Sequence, residues 1–212
     1  MAIPSLIALH DHYPEASMTI VVKESFRPLF NLLSWPVETL PLSGLKSWFS
    51  LRKNKFDLAV IFPNSFHSAL EVFLTRSQVR LGYAASFRRL FLSESIPLPE
   101  VNLHQADYYY CLLSPLGIKG NRPNPGLKIR TKDKELVSIW LREKGIDISR
   151  PIISIAPGAS YGEAKCWPEE RFALLIQKIA ANLGEVVLAG TKEDGPLIER
   201  IIRKSRVKAW NL

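Results

Sequence analysis

Residues 152–171 read IISIAPGASYGEAKCWPEER, and the order of residue types along them decides the fold. The apolar run from Ile152 to Ala156 has the make-up of a strand buried on both faces of a parallel sheet. Pro157-Gly158-Ala159-Ser160-Tyr161-Gly162 ends it with small residues that let backbone approach a ligand closely. Pro168, a residue favoured at the first helical position, then restarts regular structure. Ser160 and Tyr161 offer hydroxyl donors, Lys165 a mobile ammonium, and the following helix its unpaired amides and positive dipole end, a set that suits a diphosphate. The same residues also describe a glycine-containing loop that merely turns the chain, with Lys165 solvated, and spacing alone leaves the two readings level.

Outward from that segment, the apolar period switches repeatedly between strand-like and helix-like, the pattern of stacked β-α units around a parallel sheet. Strands are expected at 18–22, 58–62, 79–82, 151–156 and 185–189, with a third strand of the second half beginning near 207–210. Helices are expected at 3–12, 24–33, 45–53, 66–75, 102–116, 132–144, 168–183 and 193–204. Pro63-Asn64-Ser65 supplies a turn and a helix N-cap, since an Asn or Ser oxygen accepts from the free amides of a first turn. The stretch PLGIKGNRPNPGLK around residues 115–128 is too rich in Gly, Pro and Asn for a packed element. It divides the chain into a domain of residues 1–117, a linker of 118–130 and a domain of 131–212. The expected fold class is α/β with two Rossmann-like, doubly wound domains, the second incomplete. A doubly wound domain opens on a strand, whereas Met1 stands inside what reads as the following helix, so the first strand is expected upstream.

The composition, 47% hydrophobic and 23% charged over 212 residues, is that of an ordinary globular chain. No apolar stretch reaches the roughly 18–20 residues that cross a bilayer, and the N-terminus lacks the basic start and cleavage site of a signal peptide. Cys111 and Cys166 have no ligand-spaced His or Cys around them, so neither a disulfide framework nor a zinc site is expected, and both read as small apolar fillers or bystanders. His10, His12 and His104 read as structural or solvated, and no metal is expected. A net charge of +8 favours anionic partners. The basic residues are scattered and lack aromatic interleaving, so nucleic acid is not expected as the partner. A nicotinamide-dependent oxidoreductase needs a G-x-G-x-x-G turn, and no such string occurs.

The string APGASYGEAKCWPEERF resembles the donor-phosphate loop of the ADP-heptose lipopolysaccharide heptosyltransferases, a family of two-domain glycosyltransferase-B architecture, and the chain is similar to the heptosyltransferase II branch in particular. Pro157-Gly158-Ala159, Tyr161-Gly162, Ala164-Lys165, Trp167-Pro168 and Arg171-Phe172 carry the likeness. Phe62-Pro63-Asn64-Ser65-Phe66-His67-Ser68-Ala69-Leu70 is a second matching string, Leu81-Gly82-Tyr83 followed by Arg88 a third, and His104 with Tyr108 a weaker one. They run in the family's order and spacing along nearly the whole chain.

The resemblance implies donor binding by Ser160, Tyr161 and Lys165 at the pyrophosphate and by Asp194 at the adenosine ribose. Without the resemblance, Glu193 and Asp194 read at least as well as charges favourable to a helix N-terminus. It places Asn64, Ser65, His67 and Arg88 beside the acceptor, although Arg88 alone reads equally as a surface arginine. The family usually has Lys where His67 stands, which exchanges an ammonium for an imidazole mostly neutral near pH 7. The implied function is transfer of heptose from ADP-heptose to the phosphorylated lipopolysaccharide inner core, with no cofactor, in the cytoplasm or peripherally at the inner membrane. The family's catalytic base is an Asp in a Gly-Asp turn expected upstream of Met1, and its Asp-Ser/Thr-Gly donor loop is expected beyond Leu212, so this chain is expected to have little or no activity. The alternative is a non-catalytic nucleotide-binding or interaction protein derived from such an enzyme.

Overall fold

Helix α1, Ile3–His12, begins with Pro4 in its first turn, where a missing amide hydrogen costs nothing, and buries Ile3, Leu6 and Leu9 along one stripe. The structure, a computed structural model, describes residues 1–41, 51–159 and 165–212. They form two compact units, Met1–Ile129 and Arg130–Leu212.

In the first unit, β1 (Thr19–Val22) pairs in parallel with β2 (Glu38–Pro41). A second parallel sheet has the order β3 (Leu58–Ile61), β4 (Val79–Tyr83), β5 (Glu94–Ile96), with Leu58 opposite Val79 and Leu81 opposite Glu94. The helix expected over 24–33 is instead a 3-10 turn, Glu24–Phe26, running into a single α turn, α2 (Arg27–Phe30). Helix α3 (Phe66–Leu74) is capped by Ser65, whose hydroxyl accepts from Ser68 N at 3.1 Å. Helix α4 (Gln105–Cys111) follows β5, with a 3-10 turn at Ser114–Leu116. Most of the expected helix over 45–53 lies outside the described residues.

Side-chain alternation along β4 sends Leu81 and Tyr83 into one layer with Leu112, Val60, Phe62 and Ile96. On the other face, Gly82 meets Leu92 and the Arg88 guanidinium, while Ile61, Ala69 and Leu92 form a core under α3. Residues 118–129, read from composition as part of a linker, lie along this unit. Ile118 is buried with Leu9, Tyr110 and Leu113, Tyr110 Oη donates to Lys119 O at 3.3 Å, and Lys128 N donates to Leu32 O at 2.8 Å.

The second unit opens with α5 (Thr131–Glu143). Its sheet has the order β6 (Ile152–Ile155), β7 (Glu185–Leu188), β8 (Trp210–Asn211), all parallel. Helices α6 (Glu169–Asn182) and α7 (Gly195–Ser205) pack Ile176, Ile179, Ile198 and Ile201 on Val186 and Leu188, while Val187 faces Ile146 and Trp210. The central strand β7 is thus covered on both faces. The edge strand β6 is not: Ile152 is 39% exposed and Ser154 is exposed, which corrects the expectation of a strand buried on both sides. Among the described residues, no helix is long and apolar enough to cross a membrane.

Candidate functional site

Parallel strands place their carboxyl ends on one edge of a sheet, and the loops leaving that edge are where α/β folds hold ligands. In the first unit those loops carry Pro63 to Ser65 after β3 and Ala84 to Arg88 after β4. Arg88 has no exposed surface, so it is not the surface arginine that its sequence context allowed. Its Nε donates to Tyr83 O at 2.8 Å, and its Nη1 to Pro63 O and, at 3.4 Å, to Ser68 Oγ. Nη2 reaches Asn64 Oδ1 at 3.4 Å. Burial lowers the Arg88 pKa from its ordinary value.

Asn64 passes the connection on, its Nδ2 donating to Tyr108 Oη at 2.5 Å, and Tyr83 Oη donates to Tyr108 O at 2.7 Å. Arg88, Asn64, Tyr108 and Tyr83 therefore close a hydrogen-bonded ring that fastens both loops to α4. Burial, chiefly, raises the Tyr83 pKa and keeps its hydroxyl a donor. A β-carbon at Gly82 would stand 2.9 Å from Arg88 Nη2, so the glycine makes room for the guanidinium. Tyr83 and Tyr108 were not singled out from sequence as site residues; their signals were the Leu81-Gly82-Tyr83 string before Arg88 and the weaker match of His104 with Tyr108.

Ser65 is spent on capping α3 and on Ser68 Oγ, 3.1 Å away. His67 is exposed and lies along α3 against Glu71, Nε2 to Oε1 3.0 Å, at helical i,i+4 spacing. Asn64, Ser65, His67 and Arg88 thus share one stretch of the carboxyl edge, but Arg88 faces its neighbours rather than the solvent. His104 accepts from Ala106 N and caps α4, and His10 stacks on Trp35 with ring centroids 4.3 Å apart.

In the second unit the register sets Ile155 beside Leu188, so the segments after β6 and β7 emerge together. Thr191 N and Oγ1 donate to Asp194 Oδ2 at 2.8 and 2.9 Å, closing a capping box on the 3-10 turn Lys192–Asp194. The Thr191 backbone first, and its hydroxyl second, hold the Asp194 carboxyl below the usual aspartate value. A β-carbon at Gly158 would stand 2.1 Å from Asp194 Oδ1 and 2.5 Å from Cγ. The carboxylate therefore rests directly on the bare backbone of the loop after β6. With Oδ2 held by Thr191, Oδ1 stays beside that loop, where it can accept from a hydroxyl.

Lys165 is exposed. Ser160 and Tyr161 lie outside the described residues. Pro168 is the residue before α6 rather than its first residue, extended at φ −55° and ψ 141°. The first turn of α6 carries Glu169 and Glu170. Glu169 pairs with Arg200 and with Lys204, each at 2.9 Å, and Glu170 with Lys204 at 2.5 Å. The first turn of α6 thus carries two carboxylates that complement its dipole, each of them paired with a cation of α7. Cys111 is exposed and Cys166 half-buried, so neither fills a core. Among the described residues, no group of His, Cys, Asp and Glu is placed to hold a metal ion.

Comparison with known proteins extends these findings. Lipopolysaccharide heptosyltransferase 2 of Escherichia coli strain K12 is 27% identical over 88% of this chain, which spans 58% of that protein's length. The chain therefore covers about three fifths of the curated relative. The solved structure of E. coli ADP-heptose LPS heptosyltransferase II superposes with a TM-score of 0.78 at 23% identity, over 100% of this chain and 67% of that one. An E. coli heptosyltransferase structure with ADP-2-deoxy-2-fluoro heptose gives a TM-score of 0.67 at 17% identity, over 100% of this chain and 71% of that one. The fold is thus that of the glycosyltransferase-B heptosyltransferases. The model of glycosyltransferase family 9 (heptosyltransferase) matches residues 45–212, and this chain belongs to that family.

Proposed function

We propose that this chain supplies the acceptor-side domain, residues 1–117, and much of the nucleotide-sugar domain, residues 131–212, of an enzyme that transfers heptose from ADP-heptose to the phosphorylated inner core of lipopolysaccharide. Lys165, with Ser160 and Tyr161 of the same loop, holds the donor pyrophosphate, and Asp194 accepts from the adenosine ribose. Asn64, Ser65 and His67 border the acceptor, with Arg88 acting through Asn64 and the Pro63 carbonyl. The enzyme works in the cytoplasm, peripheral to the inner membrane that carries its acceptor.

The observation that supports this reading best is the contact between Gly158 and Asp194. It joins a close-approach loop and a ribose-type carboxylate at neighbouring strand ends, in a member of a heptosyltransferase family. Glycosyl transfer also needs donors aimed at a leaving diphosphate, and Lys165 is the lysine of that loop. Isothermal titration of the purified chain with ADP tests the donor half. Binding is expected, weakened at least tenfold in both Lys165→Ala and Asp194→Asn. A cooperatively folded chain with no affinity for ADP would refute it.

A further inference from the structure

The opposite, amino-terminal edge of the β3-β4-β5 sheet carries a feature that donor and acceptor binding leave unused. A cavity of about 530 Å³ lies there, lined by Arg52, Phe73, Leu74, Arg76, Ser77, Gln78 and Arg80. That volume lies within the ordinary range for small-ligand sites. Three arginines line it and, among the described residues, no carboxylate does. The nearest acid in the bonding pattern is Asp57, which accepts from Gln78 Nε2 at 3.4 Å.

Arg80 is held rigidly. Its Nε donates to Phe91 O at 2.8 Å, its Nη1 donates to Ser77 O at 2.5 Å, and its guanidinium lies 5.5 Å from the centre of the Phe73 ring. All of these partners are neutral, so its charge stays uncompensated. Arg76 is exposed and stands in the left-handed region at φ +60°, a conformation that costs a non-glycine residue free energy. Neither Arg76 nor Arg80 makes an ion pair among the described residues. Like charges gathered around a cavity repel one another, and an anion reverses the sign of that interaction. Guanidinium forks match phosphate oxygens two at a time.

We infer that this cavity is a binding site for a phosphate ester, on the edge of the sheet away from the acceptor loops. Phe73 and Leu74 provide an apolar wall for the group that carries the phosphate. The same chemistry is offered by a phospholipid headgroup and by a free phosphorylated compound. The inference does not depend on the heptose-transfer reading, because no residue of the cavity belongs to the proposed donor or acceptor site.

The test compares the full chain with Arg76→Glu and Arg76→Gln, exposed substitutions whose folding is checked by thermal melting. Pyrophosphate affinity is measured by calorimetry, and vesicle binding by co-sedimentation with phosphatidylcholine alone or with 30 mol% phosphatidylglycerol, on the order of the anionic content to which basic patches respond. The donor loop is identical in all three proteins, so the difference between them reads the cavity alone. A tenfold or greater loss of pyrophosphate affinity in the Glu variant, with a smaller loss in the Gln variant, supports a site for free phosphates. The same loss confined to anionic vesicles assigns it to a headgroup. Unchanged pyrophosphate and vesicle binding in folded variants overturns the inference.

Discussion

Replacing Arg88 by Met keeps a long flexible chain in the buried slot and removes the guanidinium fork that fastens the loops after β3 and β4. Two close hydrogen bonds vanish, to Tyr83 O and to Pro63 O, together with the 3.4 Å contacts to Asn64 and Ser68. Neither carbonyl is orphaned, since Ala85 N still donates to Tyr83 O at 2.9 Å and Ser68 Oγ to Pro63 O at 3.3 Å. The loss is therefore that of two charge-assisted bonds, about 1.5–3 kcal/mol each. Relief of a buried positive charge and the packing of the thioether offset part of it, leaving a net destabilisation of about 2–4 kcal/mol. For a chain of this size that lowers Tm by roughly 5–15 °C. Arg88→Lys separates charge from geometry: a single ammonium cannot satisfy the Tyr83 and Pro63 carbonyls and Asn64 together, so it is expected to lose nearly as much. Urea unfolding followed by near-ultraviolet circular dichroism, which reports the Tyr83 and Tyr108 environments, measures both variants. A Met variant within about 0.5 kcal/mol of the parent, the range of ordinary surface substitutions, would show that the ring of four residues holds nothing.

Three further outcomes follow from the second unit. Gly158→Ala places a β-carbon on the Asp194 carboxylate and is expected to weaken ADP binding at least tenfold by calorimetry while the chain stays folded; unaltered affinity would separate Asp194 from the nucleotide. Gly184→Ala drives a β-carbon to 1.9 Å from Pro151 O, the carbonyl that accepts from Glu185 N and starts the β6-β7 pairing. It is expected to cost about 1–3 kcal/mol or more, read as an earlier urea transition of that unit. Lys204 first, and Arg200 second, hold Glu169 below the ordinary glutamate value. Its folded pKa is thus the lower one, so the stability it lends is fully present above the unfolded value near 4.5 and is lost as pH falls through the folded one. The urea midpoints of the parent and Glu169→Gln should differ at pH 6 and converge toward pH 3; a gap that does not change with pH would refute the pairing.

The elements most legible in the sequence were those with enough residues to show a period. Helix α1 matches its expected span, and α3, α5 and α6 agree within a residue or two at each end. The strands β2 and β5 escaped notice for physical reasons. Glu38–Pro41 is a short edge strand closed by a proline, and Glu94–Ile96 has three residues before Pro97, too few for alternation to register. The expected helix over 24–33 failed because Pro28 removes an amide just where a longer helix would need it. At the site, the family resemblance implied that Asp194 and the Gly158 loop share a function, but their contact depends on the β6-β7 register, which no local pattern encodes. Arg88 was singled out by the family resemblance, as the arginine that follows Leu81-Gly82-Tyr83. That it turns inward, onto Asn64 and two carbonyls, follows from the missing side chain at Gly82 and from the approach of α4, both of them tertiary facts.

The closeness of Gly158 to Asp194 also restricts how related sequences can drift. All three atoms that a β-carbon at 158 would strike belong to the Asp194 carboxylate, beyond its own β-carbon. A larger residue at 158 is therefore admissible only where 194 has shrunk. Substitutions at these positions, 36 apart along the chain, should appear as a coupled pair among homologues, and lineages that have lost the glycine should have lost the acid as well.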